Sequence, residues 1–379
     1  QKTMVDKNIV WKTDYKNKNI EISINLSKPE KSNKDIAKLL EKPKPNDIKY
    51  PKCLLCLENI GFYGNDHHPA RENIRFVPVV LDGEVWYLQY SPYGYYYKHC
   101  ICFSSKHSQM VINESTFKKL VDFVDVYPSF FIGSNADLPI VGGSILNHEH
   151  FQGGEHILPV MEADIKKEYK LKKYQNTKLY KLDWYNSTLL IKGKDRKELV
   201  NLASEILNAW KTYDDLTNDI LSSDANGKHN TITPSIRKIK DEYYLYLILR
   251  NNRCDEKYPE GIFHAHPEYH HIKKEGIGII EAMGLFILPA RLVRQENEIK
   301  DVLSLNLDND EIIKKYPDLK DFLSMIELLR KDYNSKTIDK KIKEYIEDTC
   351  KHILMNTAVF KDDKKGNEGL DKFIGGINL

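Results

Sequence analysis

The sequence predicts an α+β chain of two similar units closed by a helical C-terminal region. Three observations predict it. Runs rich in β-branched and aromatic residues alternate as strands do, two of them around an Asp-Gly turn. Apolar residues at helical spacing interrupt those runs in STFKKLVDFVDVYP and again at 197–215. Each helix is followed by a strand and then by an H-x-H triplet, His148-Glu149-His150 in one case and His264-Ala265-His266 in the other, a weak internal repeat. The implied division is 1–165 and 166–379.

Taken in order, NIEISINL (19–26) alternates as a strand. Residues 27–50 are polar and proline-containing, with room for one short helix from Asp35 to Glu41. IRFVPVVL (74–81) and VWYLQY (85–90) flank Asp82-Gly83, a hairpin signal, and HCICF (99–103) is a further strand. Phe117, Leu120, Val121 and Val124 line one helix face, with Ser115 as its N-cap. SFFIG (129–133) is predicted as a strand, 134–143 as a loop and SILNHEHFQ (144–152) as a strand. The Lys/Tyr-rich stretch 166–181 is expected to connect the two units. Strands are expected at 243–249 and about 262–266, and helices at 319–330 and 338–355. The polar KDDKKGNEG segment is expected to be a flexible loop.

Composition excludes several classes. With 379 residues, 41% of them hydrophobic, the chain can bury a sizeable core. Lys+Arg 57 against Asp+Glu 55 leaves no strong field, which argues against a nucleic-acid partner. No apolar run reaches the ~18 residues of a membrane span, and the polar N-terminus lacks the apolar core of a signal peptide, so cytoplasm is the expectation. The first residue is Gln rather than Met, as in a fragment or a processed form.

Chemistry concentrates in two places. Cys53-x-x-Cys56 sets two thiolates on one turn, a spacing suited to tetrahedral Zn²⁺. Spacing alone leaves the other ligands open among His67, His68, His99, His107 and His148, against the alternative of two buried thiols and surface histidines. Cys100 and Cys102 alternate within a strand and are expected to pack on one face. The second place is the histidine strand, where alternation puts His148, His150 and Gln152 on one face. The preceding Ile140-Val141-Gly142-Gly143-Ser144 offers backbone N–H groups and a hydroxyl to a phosphate.

The H-x-H-x-Q strand after a helix–strand pair resembles the histidine-triad superfamily. More closely, the chain resembles galactose-1-phosphate uridylyltransferases of the second, mostly bacterial class. The carrying segments are INLSKPEK (24–31), YPKCLLCLEN (50–59), HPARENIR (68–75), QYSPYGYYYKHCICFSSKHS (89–108), GSNADLPIVGGSILNHEHFQGG (133–154), HNTITP (229–234), LRNNR (249–253) and 258–292. The fold it implies is two histidine-triad-like units, with antiparallel sheets flanked by helices. Members usually carry a further N-terminal region, which this chain is expected to lack.

The resemblance implies a structural zinc on Cys53, Cys56, His107 and His148. It implies His150 as the nucleophile that takes a uridylyl group from UDP-glucose for galactose 1-phosphate. Gln152 stands where hydrolytic relatives have a third histidine, and donates to a phosphoryl oxygen without supplying a proton. Asn135 and Ser144 match phosphate and sugar contacts. Arg71 is a phosphate clamp by its paired donors, and Asn251, Asn252 and Arg253 are substrate contacts, completed across a homodimer in better-known members. A second metal site is left incomplete: His264 and His266 match its H-x-H, only His229 is available upstream, and its glutamate is either Glu155 or Glu162. His156, after two glycines, falls outside the chemistry.

Two alternatives remain at this point. One is a nucleotide-sugar or dinucleotide phosphorylase or hydrolase of the same superfamily. The other is a zinc-stabilised RNA-binding module with YGYYYKH (93–99) as a stacking platform, although strand packing explains those tyrosines better.

Overall fold

The computed structural model describes residues 2–16, 18–26, 51–65 and 68–379; the expected helix at 35–41 lies outside the described residues, as does His67. Among the described residues fifteen strands form three sheets. Strands β1 (Ile9–Lys12) and β2 (Glu21–Asn25) begin the chain. Next come β3 (Val77–Leu81), β4 (Glu84–Tyr90), β5 (Cys100–Ser104), β6 (Phe131–Gly133) and β7 (His150–Gly154). Then follow β8 (Ile165–Tyr169), β9 (Thr177–Leu182) and β10 (Thr188–Gly193). The short β11 (Ser223–Asp224) and β12 (Gly227–Lys228) precede the long β13 (Asn230–Ile239) and β14 (Glu242–Asn251), and β15 (Leu285–Pro289) is last.

Ten of these strands make one antiparallel sheet in the order β3-β4-β5-β7-β6-β13-β14-β10-β9-β8. The order contains the same pattern twice. Three sequential strands, a helix and a two-strand return give 3-4-5-7-6 from one edge and 8-9-10-14-13 from the other. The halves meet where β6 pairs β13 through Phe131↔Arg237, Ile132↔Ile236 and Gly133↔Ser235. A smaller sheet, β1-β2-β15, joins the chain's beginning to its later part by parallel pairing of β2 with β15.

Alternation divides the large sheet into two faces. One face carries Cys100, Cys102, Phe151, Ile232, Leu247 and Leu249, packed with the helices Glu114–Val126 and Arg196–Trp210. The other carries His150 and Gln152, Gly133 across from Gln152, and further along Thr233, Tyr246, Ile248 and Arg250. The β1-β2-β15 sheet and the helices Arg291–Leu305 and Ile338–Thr357 belong to the core cluster that includes Tyr246 and Ile248.

The structure corrects several expectations. The Glu114–Val126 helix is capped by Asn113, whose side chain accepts from Thr116 N and whose backbone N–H donates in return to Thr116 Oγ1; Ser115 lies inside the helix and bonds Asp82 instead. Residues 166–181 are not a connector but most of β8 and β9; on the edge strand β8, Lys166 and Lys167 face solvent, Lys167 pairing Asp371 at 2.7 Å, whereas Lys181 on the interior strand β9 is buried. The polar tail is helical, Lys364–Gly375, because Asp363 caps it and Leu370, Phe373 and Ile374 bury one face, Phe373 against Trp210. The region 144–149 is irregular and strand pairing begins only at His150. His264-Ala265-His266 lies in an irregular segment rather than the expected strand, so the apparent repeat of H-x-H is not structural; the counterpart of β7 is β14. The hairpin at Asp82-Gly83 forms as expected, with φ of 49° and 74° at the two turn residues.

Candidate active site and metal centre

Cys53 and Cys56 sit on a tight turn whose backbone is braced by Asn59. That side chain is fully buried and donates to the carbonyls of both cysteines at 2.8 Å, while its oxygen meets His68 Nε2 at 2.6 Å. His107 arrives from the loop after β5, and His148 from the irregular segment before β7. The four donor atoms converge: Cys53 Sγ is 3.5 Å from Cys56 Sγ and 3.2 Å from His148 Nδ1, and Cys56 Sγ is 3.2 Å from His107 Nδ1. Tetrahedral zinc with usual bond lengths needs donor–donor edges of roughly 3.5–3.8 Å. The set therefore fits a metal with small adjustments. The chemistry of the donors agrees, since burial and the neighbouring Cys53 push the Cys56 thiol upward; a cation offsets that penalty. Among the described residues this is the only group of three or more His, Cys, Asp or Glu side chains arranged to hold a metal. His68 and His99, both candidates by type, bond Asn59 and Gln152 instead.

His148 links this cluster to β7 in two ways. Its Nε2–H donates to the Ser104 carbonyl at 2.8 Å, which leaves Nδ1 facing the sulfurs. Its own carbonyl accepts from His150 Nδ1 at 2.8 Å. His150 is therefore held as the tautomer whose proton is on Nδ1, with the lone pair on Nε2, and that nitrogen makes no hydrogen bond among the described residues. Burial lowers the His150 pKa to about 4, so the ring is neutral at neutral pH. Gln152, two residues on, shares its face and accepts through Oε1 from His99 Nε2 at 3.4 Å. Glu149, between the histidines, turns the other way to Lys119, which also pairs Glu84 and lies over the Trp86 ring.

The remaining predicted residues are spread around this face. Asn135 is buried just beyond β6. Because β6 runs antiparallel to β7 from Gly133↔Gln152, the chain there heads toward the His150 end. Asn135 Oδ1 accepts from Ile279 N at 2.9 Å. The loop it enters is tightly built: a Cβ on Gly142 would meet the Ala136 carbonyl at 2.5 Å, and β-branched Ile140 is held at φ 72°. Ser144 is exposed on that loop. Arg71 is half-buried beside the Tyr93 ring and makes no ion pair among the described residues. Asn251 is buried, and its amide is spent on Leu221 O and Asn230 Oδ1. Asn252 bonds His229 and the Pro139 carbonyl, and Arg253 donates to the Asp219 carbonyl.

The second set of candidate ligands does not converge. His264 Nε2 accepts from Ile277 N, whereas His266 Nε2 bonds the Ile262 carbonyl and its ring stacks on Tyr258. His229 faces Asp224, and Glu155 pairs Lys98. His156 bonds Glu21 and stacks on Tyr96. The Tyr-rich stretch is packing, with Tyr96 buried and Tyr95 stacked on His99. Among the described residues no helix is long and apolar enough to cross a membrane.

Comparison with known proteins agrees with this geometry. A family model described as galactose-1-phosphate uridyl transferase, N-terminal domain, matches residues 1–109, and its C-terminal counterpart matches residues 122–314. The chain is 46% identical over 378 residues to a galactose-1-phosphate uridylyltransferase of Clostridium acetobutylicum, covering 99% of this chain and 75% of that one. It is 41% identical over 375 residues to the Bacillus subtilis protein of the same name, covering 98% and 72%. Among solved structures, yeast Ap4A phosphorylase Apa2 aligns with a TM-score of 0.41 at 12% identity, over 85% of this chain and 86% of its own.

Proposed function

The chain belongs to the galactose-1-phosphate uridylyltransferase family, and from that premise we propose how it works. It moves a uridylyl group from UDP-glucose to galactose 1-phosphate, giving glucose 1-phosphate and UDP-galactose. The observation that carries the reading is the state of His150. It is a buried, neutral imidazole with Nδ1–H engaged and Nε2 bare, preceded by a clamped His148 and followed on the same face by Gln152.

His150 Nε2 attacks the α-phosphorus of UDP-glucose. The bond from phosphorus to the β-phosphate oxygen breaks, and glucose 1-phosphate leaves as an anion needing little protonation. The positive charge that develops on the ring is stabilised by the hydrogen bond from Nδ1–H to the His148 carbonyl. A phosphate oxygen of galactose 1-phosphate then attacks phosphorus, the P–N bond breaks, and His150 returns to its starting form. Gln152 offers amide N–H to a non-bridging oxygen in both steps. With an amide at this place no side chain there can take a proton from water, which favours transfer over hydrolysis.

Zinc at Cys53, Cys56, His107 and His148 supplies a structural cross-link between the turn and the catalytic strand. Arg71 clamps phosphate, and Asn135 and Ser144 contact substrate from the approach loop. Asn251, Asn252 and Arg253 act at one remove, by holding that loop and its neighbours through Pro139, Leu221 and Asp219. Residues 1–165 carry the chemistry and 166–379 support it, as a homodimer in the cytoplasm.

Intact-mass spectrometry after mixing the protein with UDP-glucose tests the reading. A uridylyl adduct is expected on the wild type and not on His150→Gly. A folded, metal-loaded wild type that gains no adduct overturns it in favour of a different nucleotide or a phosphorylase.

A further inference from the structure

A primary amide can face either way round, and only one way serves a phosphoryl group. Gln152 Oε1 accepts from His99 Nε2 at 3.4 Å, while Gln152 Nε2 makes no hydrogen bond among the described residues. The proton on His99 is itself assigned, because His99 Nδ1 accepts from the Tyr95 backbone N–H at 3.4 Å. The ring is held between aromatic neighbours, stacked on Tyr95 with centroids 4.7 Å apart and tilted against Tyr96 at 4.8 Å. It is 1% exposed. Register explains the meeting: Ile101 pairs Gln152 across β5 and β7, and His99 lies two residues before Ile101, on the same side.

We propose that His99 is a positioning residue that fixes the Gln152 amide with its oxygen inward and its N–H₂ toward the substrate phosphate. Flipping the amide would set N–H₂ against the His99 N–H and turn a carbonyl oxygen toward an anion, two repulsive contacts replacing two attractive ones. Burial lowers the His99 pKa to about 3, so the single-proton form persists through the working range. The inference rests on the proposed function, since it assumes that Gln152 serves a phosphoryl oxygen.

The test is a double-mutant cycle on the single-turnover rate at which UDP-glucose uridylylates His150. His99→Met removes the donor and is expected to slow the step about 10-fold. His99→Gln, whose amide can donate to the same oxygen, is expected to restore the rate to within a few fold. In a Gln152→Ala background His99→Met should add no further loss, an outcome that a simple packing defect cannot produce. Equal slowing by His99→Met with and without Gln152, or no slowing at all, overturns the inference while leaving the function intact. A wild type that takes up no uridylyl group overturns both.

Discussion

The two halves of the large sheet share a strand order and differ in what they expose. On the face opposite the Glu114–Val126 and Arg196–Trp210 helices, β7 presents His150, Gln152 and then Gly154, whereas β14, in the matching place, presents Tyr246, Ile248 and Arg250. The β7 side is entered from the Cys53–Cys56–His107–His148 cluster, whose His148 carbonyl fixes the strand's first residue; β14 is entered from a two-residue turn after β13, and its apolar residues join the core. Arg250 is fully buried there, donating to the Ile277 carbonyl, with Nε unpartnered and burial lowering its pKa to about 10. The same framework thus serves as the proposed reaction surface on one side and as a wall on the other. What separates them is which side chains point outward and what holds the strand's entrance.

The sharpest break of this comparison is catalytic. His150→Gly should lower transfer by roughly 10⁴-fold or more, as loss of a nucleophile does. Ile248→Ala should cost on the order of 2–4 kcal/mol of stability, read by denaturant melts, yet leave the rate per folded molecule near wild type. If Ile248→Ala also abolished adduct formation in folded protein, the β14 side would be part of the chemistry. Next in size is the entrance. Cys53→Ser, or chelation, should remove one bound metal per chain and several kcal/mol of stability, measured by elemental analysis and thermal melting. A change of comparable size has no expected counterpart at His264 and His266, whose substitution should leave metal content unchanged.

A smaller effect comes with acid. His99, His264 and His271 are buried, with pKa values lowered to about 3, about 4 and about 4, burial being the main cause in each. Unfolded, each binds a proton near pH 6.5, so the unfolded state holds more protons below that pH. Their neutral burial costs nothing above pH 6.5. Stability falls as pH drops from about 6.5 toward 4, by roughly 1–2 kcal/mol per histidine at pH 5. Removing His264 and His271 together should flatten that acid limb of the melting curve more than removing His99 alone.

Smallest are the caps. The matching helices begin with Asn113 and Asp195, each accepting backbone N–H bonds. Alanine at either should cost about 1 kcal/mol, and near-equal losses would support equivalence of the two helices.

Much of the framework could be read from the sequence because alternation and helical spacing are local signals. β3, β4 and β5 and the helices at 114–126, 196–210 and 338–357 lie close to where patterning puts them. β8 and β9 escaped because an edge strand can be rich in lysine, and the last helix because its polar first turn hides the apolar spacing of Leu370, Phe373 and Ile374. At the site, Cys53 and Cys56 were legible by spacing, and His107, His148 and His150 by family resemblance. The expectation that His148, His150 and Gln152 share one strand face was too simple: His148 lies before the strand and turns its ring to the sulfurs. The His99 contact to Gln152 depends on long-range approach, and the local bracing of the cysteine turn by Asn59 is side-chain to backbone bonding; neither leaves a periodic signal in the sequence.

The join between β6 and β13 is short, three residue pairs in all, yet both strands lie inside the sheet. A polypeptide cut near residue 165 would therefore leave each piece with a bare row of N–H and C=O groups and uncovered apolar residues beside it. Expressed alone, either piece should aggregate. Expressed together, they carry mutually complementary edges, so fragment complementation through this seam is the natural way to rebuild one working molecule from two chains.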